Sequence, residues 1–439
     1  MSNPVEASTA DAMRPSPSGE SCRPQARHLF LASLGAVPLG VLCGCGAALF
    51  LWLLDAATTT REETTWLVWL LPLAGWLLGH GMETWGRSVA GGTHLIHRAL
   101  IAGGERLPLR MAPIVVLGTV WTHLFGGSAG REGTAVQMGT ALADEVARVV
   151  RASDEVRHLL LIAGVAGGFG AVFGTPWAGV VFAVEWVRVF RVRWVGVPAA
   201  IVAAFVGDGV VHAWGIPHTE YPAIEPLALD ASLAARWVLV GAAMAAATVA
   251  FVVGTQALRQ FLSLHVTRLS SRLFVGGCLV VLLWQGVGTT DYLGLGVPTI
   301  LRAFEDPDLA ATVFAWKLLF TAVTLGAGFL GGEVTPLFFV GATLGSVLAG
   351  ALGIPIALGA AVGLAAVFAA AANAPLALIV MAVELMGTET LPHVAIVCAV
   401  AFLFSGRRGI YLAQGWAGDK PGTRLWRMLA TRWVPAHRD

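Results

Sequence analysis

The chain has 439 residues, of which 56% are apolar and only 13% charged, with a formal net charge of +1 and a mean hydropathy of +0.73. Soluble chains carry about 25% charged residues, so soluble enzymes, nucleic-acid binders and disordered chains are excluded in favour of an integral membrane protein. The balanced charge implies no acidic or basic partner.

Residues 1–27 are polar and rich in Pro, Ser and Arg with no apolar h-region, which reads as a tail and not a cleaved signal. The next stretch, 28–215, is a first transmembrane repeat. Within it the apolar run 159–173 is interrupted by Gly174-Thr175-Pro176. A linker over 216–232 leads to a second repeat, 233–413, and a basic tail, 414–439, follows. Residues 334–383 contain no Asp, Glu, Lys or Arg. As one helix this run would be about 75 Å long, against a hydrocarbon core of about 30 Å, so it must fold back. Pro355 and Asn373-Ala374-Pro375 are the expected breaks. The expectation is an all-α polytopic protein whose helices are uneven, several of them broken or re-entrant, as a membrane tolerates only where backbone is buried in protein or lines a cavity.

A displacement of 199 residues places Gly164 on Gly363, Ala166 on Ala365, Phe169 on Phe368, Pro176 on Pro375 and Glu185 on Glu384. It also places Gly133 of GREGT on Gly332 of GGEVTP. Two halves with matching interruptions mark many secondary transporters, whose sites lie among half-helix ends at the repeat interface. Arg14, Arg23 and Arg27 before the first span, with Lys420, Arg424, Arg427 and Arg432 after the last, put both termini in the cytoplasm by the positive-inside tendency. The short tails suggest a bacterial inner-membrane protein. The cysteines, Cys22, Cys43, Cys45, Cys278 and Cys398, form no C-x-x-C pair. Neither a disulfide nor a metal site is expected, and no cofactor is implied.

Four motifs could carry chemistry. Gly130-Arg131-Glu132-Gly133-Thr134, led by Gly126-Gly127-Ser128, would open a helix whose free N–H groups and dipole favour an anion. A carboxylate at Glu132 could occupy that seat when ionised and leave it when protonated; the plainer reading is a helix cap. In Gly331-Gly332-Glu333-Val334-Thr335-Pro336, Pro after Thr marks a helix start, so Glu333, Val334 and Thr335 again expose N–H groups. Glu333 within the bilayer needs a role or a partner. Gly91, Gly92 and Thr93 form a third Gly-rich lead into a helix, and Tyr411 offers a hydroxyl donor or else an interfacial belt residue. Glu185 and Glu384 read as structural, satisfying neighbouring helix ends.

GREGTAVQ with its GGS lead, GGEVTP followed by LFFVGA, the paired Pro-to-Glu spacings and the late Tyr411 resemble the CLC family of anion channels and anion/proton antiporters over residues 28–413. The resemblance implies two inverted-topology repeats of tilted, broken and re-entrant helices, and a homodimer with one anion pathway per subunit. It implies that Glu132 is the gating glutamate, that the N–H groups of Glu333 and Val334 ligate the central anion, and that Tyr411 binds it as well. Gly91 stands where the chloride-handling branch has an anion-binding serine, and Trp186 where its proton-coupled members have an internal glutamate. Those departures, with Glu333 and Thr335, are similar to the fluoride/proton antiporter branch. That branch implies export of cytoplasmic fluoride driven by entering protons. The Thr335 hydroxyl and exposed amides would replace the water shell of fluoride, and Glu333 would carry protons in place of the missing internal glutamate. The expected site is thus Glu132 and Glu333 for protons, with Gly91, Gly92, Thr93, Gly130, Arg131, Gly133, Glu333, Val334, Thr335 and Tyr411 around the anion.

A chloride channel or chloride/proton exchanger of the same fold is the nearest alternative, with chloride in place of fluoride. From another class, an intramembrane serine protease would use Ser128 with His123 or His158 as base. A zinc hydrolase lacks an H-E-x-x-H motif.

Overall fold

The computed structural model describes residues 26–102, 105–187, 194–406 and 409–411. The tail residues 1–25 and 412–439, with Cys22, Arg14, Arg23 and the basic residues after Tyr411, lie outside the described residues, as do Arg407 and Arg408. Sixteen α-helices occur among the described residues. The first eight are α1 (Ala26–Glu63), α2 (Leu71–Thr84), α3 (Thr93–Ala102), α4 (Met111–Leu124), α5 (Glu132–Val149), α6 (Asp154–Phe173), α7 (Pro176–Val187) and α8 (Val197–Ala213). The second eight are α9 (Ala231–His265), α10 (Leu269–Val287), α11 (Val297–Glu305), α12 (Val313–Ala327), α13 (Val334–Ala351), α14 (Ile356–Ala372), α15 (Pro375–Met386) and α16 (Leu391–Phe404).

Each helix of the first half has a counterpart in the second. α1 and α9 are the longest, at 38 and 35 residues; α5 and α13 both have 18, and α7 and α15 both have 12. Five helices, α1, α6, α9, α10 and α13, are long and apolar enough to cross a membrane, and shorter apolar helices of 10–17 residues fill the body. At 1.5 Å per residue α1 is about 57 Å long. It must therefore tilt or project beyond a hydrocarbon core of about 30 Å.

The charge-free run folds back where its sequence says it should. α13 ends at Ala351, Pro355 precedes α14, and Asn373 closes α14 in the left-handed region at φ 55° before Pro375 opens α15. Asn tolerates that conformation better than most side chains, and Pro at a first helical position forfeits no hydrogen bond. The first half breaks in the same way, with Gly174 at φ 71° and then Pro176.

α6 and α14 are buried along nearly their whole length and are gripped by α5 and α13 through glycine. A side-chain carbon at Gly164 would stand 2.5 Å from the Gly139 carbonyl oxygen, and one at Gly363 would strike the carbonyl of Gly341. Small residues bring membrane helices this close because lipid supplies no hydrophobic drive between them. Gly363→Val is therefore expected to abolish the monodisperse peak in size-exclusion chromatography. Gly254→Ala, where an added carbon meets nothing within 4 Å, should elute as wild type.

The two halves are also joined by carboxylates. Glu384 of α15 accepts from the Trp177 and Ala178 N–H groups of α7 at 2.9 and 2.7 Å. Glu185 of α7 accepts from Leu376 and Ala377 of α15 at 3.2 and 2.9 Å. Both satisfy a helix start, as their position after each proline suggested, and each satisfies the start belonging to the other half.

Candidate functional site

The GREGT and GGEVTP segments meet. Gly130 and Gly332 form an antiparallel bridge, the sole one among the described residues, with N–H to carbonyl distances of 2.6 and 2.7 Å in the two directions. The close approach requires glycine: a side-chain carbon at Gly130 would stand 3.0 Å from the Gly332 oxygen, and one at Gly332 would stand 2.8 Å from the Gly133 nitrogen. The bridge brings the N-terminus of α5 against that of α13, two half-helix dipoles converging at one place.

Glu132, the first residue of α5, is 1% exposed. Its carboxylate crosses to α13. Oε1 accepts the Thr335 hydroxyl at 2.5 Å, and Oε2 accepts the Thr335 N–H at 3.2 Å and the Arg131 N–H at 3.0 Å. The Arg131 guanidinium stands 3.7 Å away. Glu333, the residue preceding α13, is placed in the opposite sense. A side-chain carbon at Gly133 would lie 3.9 Å from Glu333 Oε2, so this carboxylate sits over the first turn of α5. Each glutamate thus addresses the helix start of the other half.

Two cavities flank this contact. Arg131 lines one of about 470 Å³, together with Arg61, Asp55, Glu62, Asp291 and His218. The other, of about 370 Å³, is lined by Gly91, Gly92, Thr93, Glu333 and Tyr411, with Thr134, Gln137, His94, His97, Arg259 and Arg272. Among the described residues, charged side chains in the Tyr411 cavity are two arginines and one glutamate, whereas acidic residues outnumber arginines in the Arg131 cavity. Positive charge in a low-dielectric cleft concentrates anions. Tyr411 is buried, with its ring edge-on to Trp186 at 5.2 Å between centroids.

The structure brings together Gly91, Gly92, Thr93, Glu333 and Tyr411, from three separate stretches of chain, and keeps Arg131 on the other side of Glu132. Three expectations need correction. Gly130 donates its N–H to Gly332, so its amide is not free for an anion. The GGS lead is likewise committed: Gly126 and Gly127 donate to His123 and Thr122 carbonyls, and Ser128 N–H donates to Thr324 Oγ1. The Gly92 N–H donates to the Val89 carbonyl. In this structure the Thr335 N–H and hydroxyl donate to the Glu132 carboxylate. Val334 stands buried as the first residue of α13, as its sequence position implied.

Sequence reading missed Gln137, Arg259, Arg272, His94 and His97. Gln137 lies inside the quoted GREGTAVQ motif, one turn of α5 beyond Gly133. Arg259 had a signal too, as a cation inside the long apolar run that forms α9.

The serine-protease alternative does not form its central pair with His123. Ser128 Oγ lies 2.9 Å from Thr321 Oγ1, and both His123 ring nitrogens face carbonyl oxygens, those of Thr119 and Ala129. Among the described residues one set, Asp208, His212 and His218, brings potential metal-ligating atoms within 4.8 Å of one another. It shares no residue with the sequence motifs.

Comparison with known proteins agrees with this architecture. The family model for voltage gated chloride channels matches residues 74–406. A chloride/fluoride channel protein of Pseudomonas syringae pv. tomato is 44% identical over 391 residues, covering 88% of this chain and 86% of its own. An H+/Cl− exchange transporter of Vibrio vulnificus is 29% identical, covering 81% of each chain. The crystal structure of a CLC-type fluoride/proton antiporter superposes with a TM-score of 0.85 at 31% identity, covering 88% of this chain and 98% of that one. The family-model match and the 44% identity, together with two matching halves of eight helices each among the described residues, place the chain in the voltage gated chloride channel family, the CLC fold of ion transporters.

Proposed function

We propose that the protein is a secondary active fluoride/proton antiporter that exports cytoplasmic fluoride as protons enter. The observation that carries this reading is the Glu132 carboxylate bonded to the N–H and hydroxyl of Thr335 at the α13 helix start. A carboxylate in that seat and an anion in that seat exclude one another. Protonation weakens the three bonds to Glu132 and releases the side chain, so anion entry is linked to proton binding at the gate. Glu333, on the Tyr411 side, is the second proton carrier. The anion approaches through the cavity of Gly91, Gly92, Thr93 and Tyr411, meets the helix starts at Gly133, Val334 and Thr335, and passes Arg131 on leaving. Similarity to the Pseudomonas chloride/fluoride channel protein and to the CLC-type fluoride/proton antiporter supports fluoride as the anion.

In this reading the repeats 28–215 and 233–413 supply one pathway per subunit of a homodimer in the inner membrane, with cytoplasmic termini and the Tyr411 cavity facing the cytoplasm. Purified protein in liposomes, followed with a fluoride electrode and an internal pH dye, tests it. The expected result is fluoride efflux accompanied by proton uptake, with chloride efflux much slower. Glu333→Gln should retain fluoride binding and lose proton uptake. Chloride flux equal to fluoride flux would instead assign the protein to chloride transport, as in the Vibrio exchange transporter. Fluoride efflux without proton movement would make it a channel.

A further inference from the structure

His97 is 1% exposed, and neither of its ring nitrogens has a hydrogen-bond partner. It stands on α3, one turn beyond Thr93, and lines the Tyr411 cavity together with Glu333 and Tyr411. Its ring packs 4.2 Å from that of Trp186 and 6.2 Å from that of Tyr411. A neutral imidazole carries one N–H donor and one lone pair, and buried polar atoms without partners are rare enough to require a reason. Packing alone would favour Phe or Leu beside Trp186. What an imidazole offers at the edge of a polar cavity is a lone pair that can accept a proton.

We infer that His97 is a proton-binding site of the Tyr411 cavity and the last protein group on the proton route past Glu333; the inference rests on the antiport reading above. A proton leaves the Glu333 carboxyl O–H and crosses the cavity on water. It then bonds to the His97 nitrogen that carries the lone pair, giving a carboxylate and an imidazolium. The imidazolium releases one N–H proton to water on the cytoplasmic side and returns to neutral. No electron is transferred and no bond other than O–H and N–H changes.

The neighbouring titratable and charged groups leave this task to His97. On its own helix, His94 lines the same cavity but is exposed, so that water reaches its ring directly, and Arg98 pairs with Glu105 at 3.3 Å. On α5, Asp144 is held by Arg157 at 2.7 Å. On α7, Glu185 accepts two N–H groups of α15, and the next residue is Trp186. Across the cavity stand Glu333, Tyr411, Arg259 and Arg272, of which Glu333 alone is a carboxylic acid and the arginines are permanently charged.

The test compares wild type, His97→Gln and His97→Glu in the liposome assay, with fluoride binding measured separately by calorimetry. Proton uptake in His97→Gln should fall by at least about tenfold, with fluoride affinity within twofold of wild type, whereas His97→Glu, which can carry a proton, should recover most of the rate. Wild-type coupled flux in His97→Gln would overturn the inference. Equal loss in both variants would overturn it too, by reducing His97 to a packing residue. If His97→Gln is not recovered as monodisperse protein, the imidazole resonance of His97 in labelled wild type, assigned by its loss in His97→Glu, must titrate with pH; a flat resonance would overturn the inference. Wild-type protein that moves fluoride without protons would instead remove the antiport reading, and this inference with it.

Discussion

Glu132→Gln is expected to leave fluoride flux in place and to remove its link to protons. In the wild-type structure the carboxylate accepts three hydrogen bonds, from Arg131 N–H, Thr335 N–H and the Thr335 hydroxyl. The amide has nearly the same shape: with its oxygen in the place of Oε2 it keeps both N–H bonds, and the Thr335 hydroxyl can rotate to accept from its NH2, so what is lost is the charge on the acceptor. Hydrogen bonds to a charged group are worth about 1.5–3 kcal/mol each. Against a neutral acceptor each bond is worth about 1 kcal/mol less, so the equilibrium between seated and released side chain shifts by about 3 kcal/mol, or roughly two decades in population. The seat is then open whatever the pH, and no proton is bound or released there. Fluoride efflux from liposomes should continue while proton uptake falls to the leak rate, with fluoride efflux losing its dependence on the pH gradient. Proton uptake at the wild-type ratio would exclude Glu132 as the coupling group. Thr335→Val is the milder companion: it removes one of the three bonds and keeps a titratable gate, so coupling should persist at a changed rate.

How much of this was legible in the sequence differs between fold and site. The broken helices were readable because their causes are local. Pro355, Asn373 and the Gly174-Thr175-Pro176 stretch cannot continue a helix, and the charge-free run is too long for one bilayer crossing. The repeat was readable because Pro176 and Pro375 stand in register with Glu185 and Glu384. The glutamates themselves were legible as groups that satisfy helix ends, but not whose ends. That each crosses to the other half is a property of the pseudo-symmetric assembly, which no local pattern encodes. The same holds at the centre. GREGT and GGEVTP each looked like a helix start with free amides, and each is one; the bridge between Gly130 and Gly332 consumes amides that either motif alone would leave open. His97 escaped notice for a different reason. A histidine on a short amphipathic helix is usually a solvated side chain, and only burial without a partner sets this one apart. Arg259 near the end of a long apolar helix reads equally well as a side chain snorkelling to the interface. The fold decides that it lines the Tyr411 cavity instead.

Glu185→Ala should lower the stability of the whole chain more than its small contact area suggests. The Leu376 and Ala377 N–H groups that it accepts belong to the first turn of α15, where no intrahelical acceptor exists. Water is the usual substitute partner for such groups, but Ala377 is 1% exposed and the Glu185 side chain lies in the packed contact between the two halves. Truncation therefore removes two hydrogen bonds to a carboxylate and leaves the buried Ala377 donor unpaired, for a loss of about 3–5 kcal/mol. For a chain of this size that corresponds to a melting temperature lower by on the order of 5 °C or more. Glu185→Gln keeps one acceptor oxygen and should lose about half as much. Glu384→Ala removes the reciprocal pair of bonds to α7, whose recipients are buried to the same degree as those of Glu185, but the Glu384 carboxylate is only half-buried whereas Glu185 is 2% exposed. Water can replace part of what it supplies, so its loss should be the smaller of the two. Melting of the purified variants in detergent decides the matter. Equal shifts would mean that burial of the carboxylate does not set the penalty, and no shift for Glu185→Ala would mean that the contact is incidental to the assembly of the two halves.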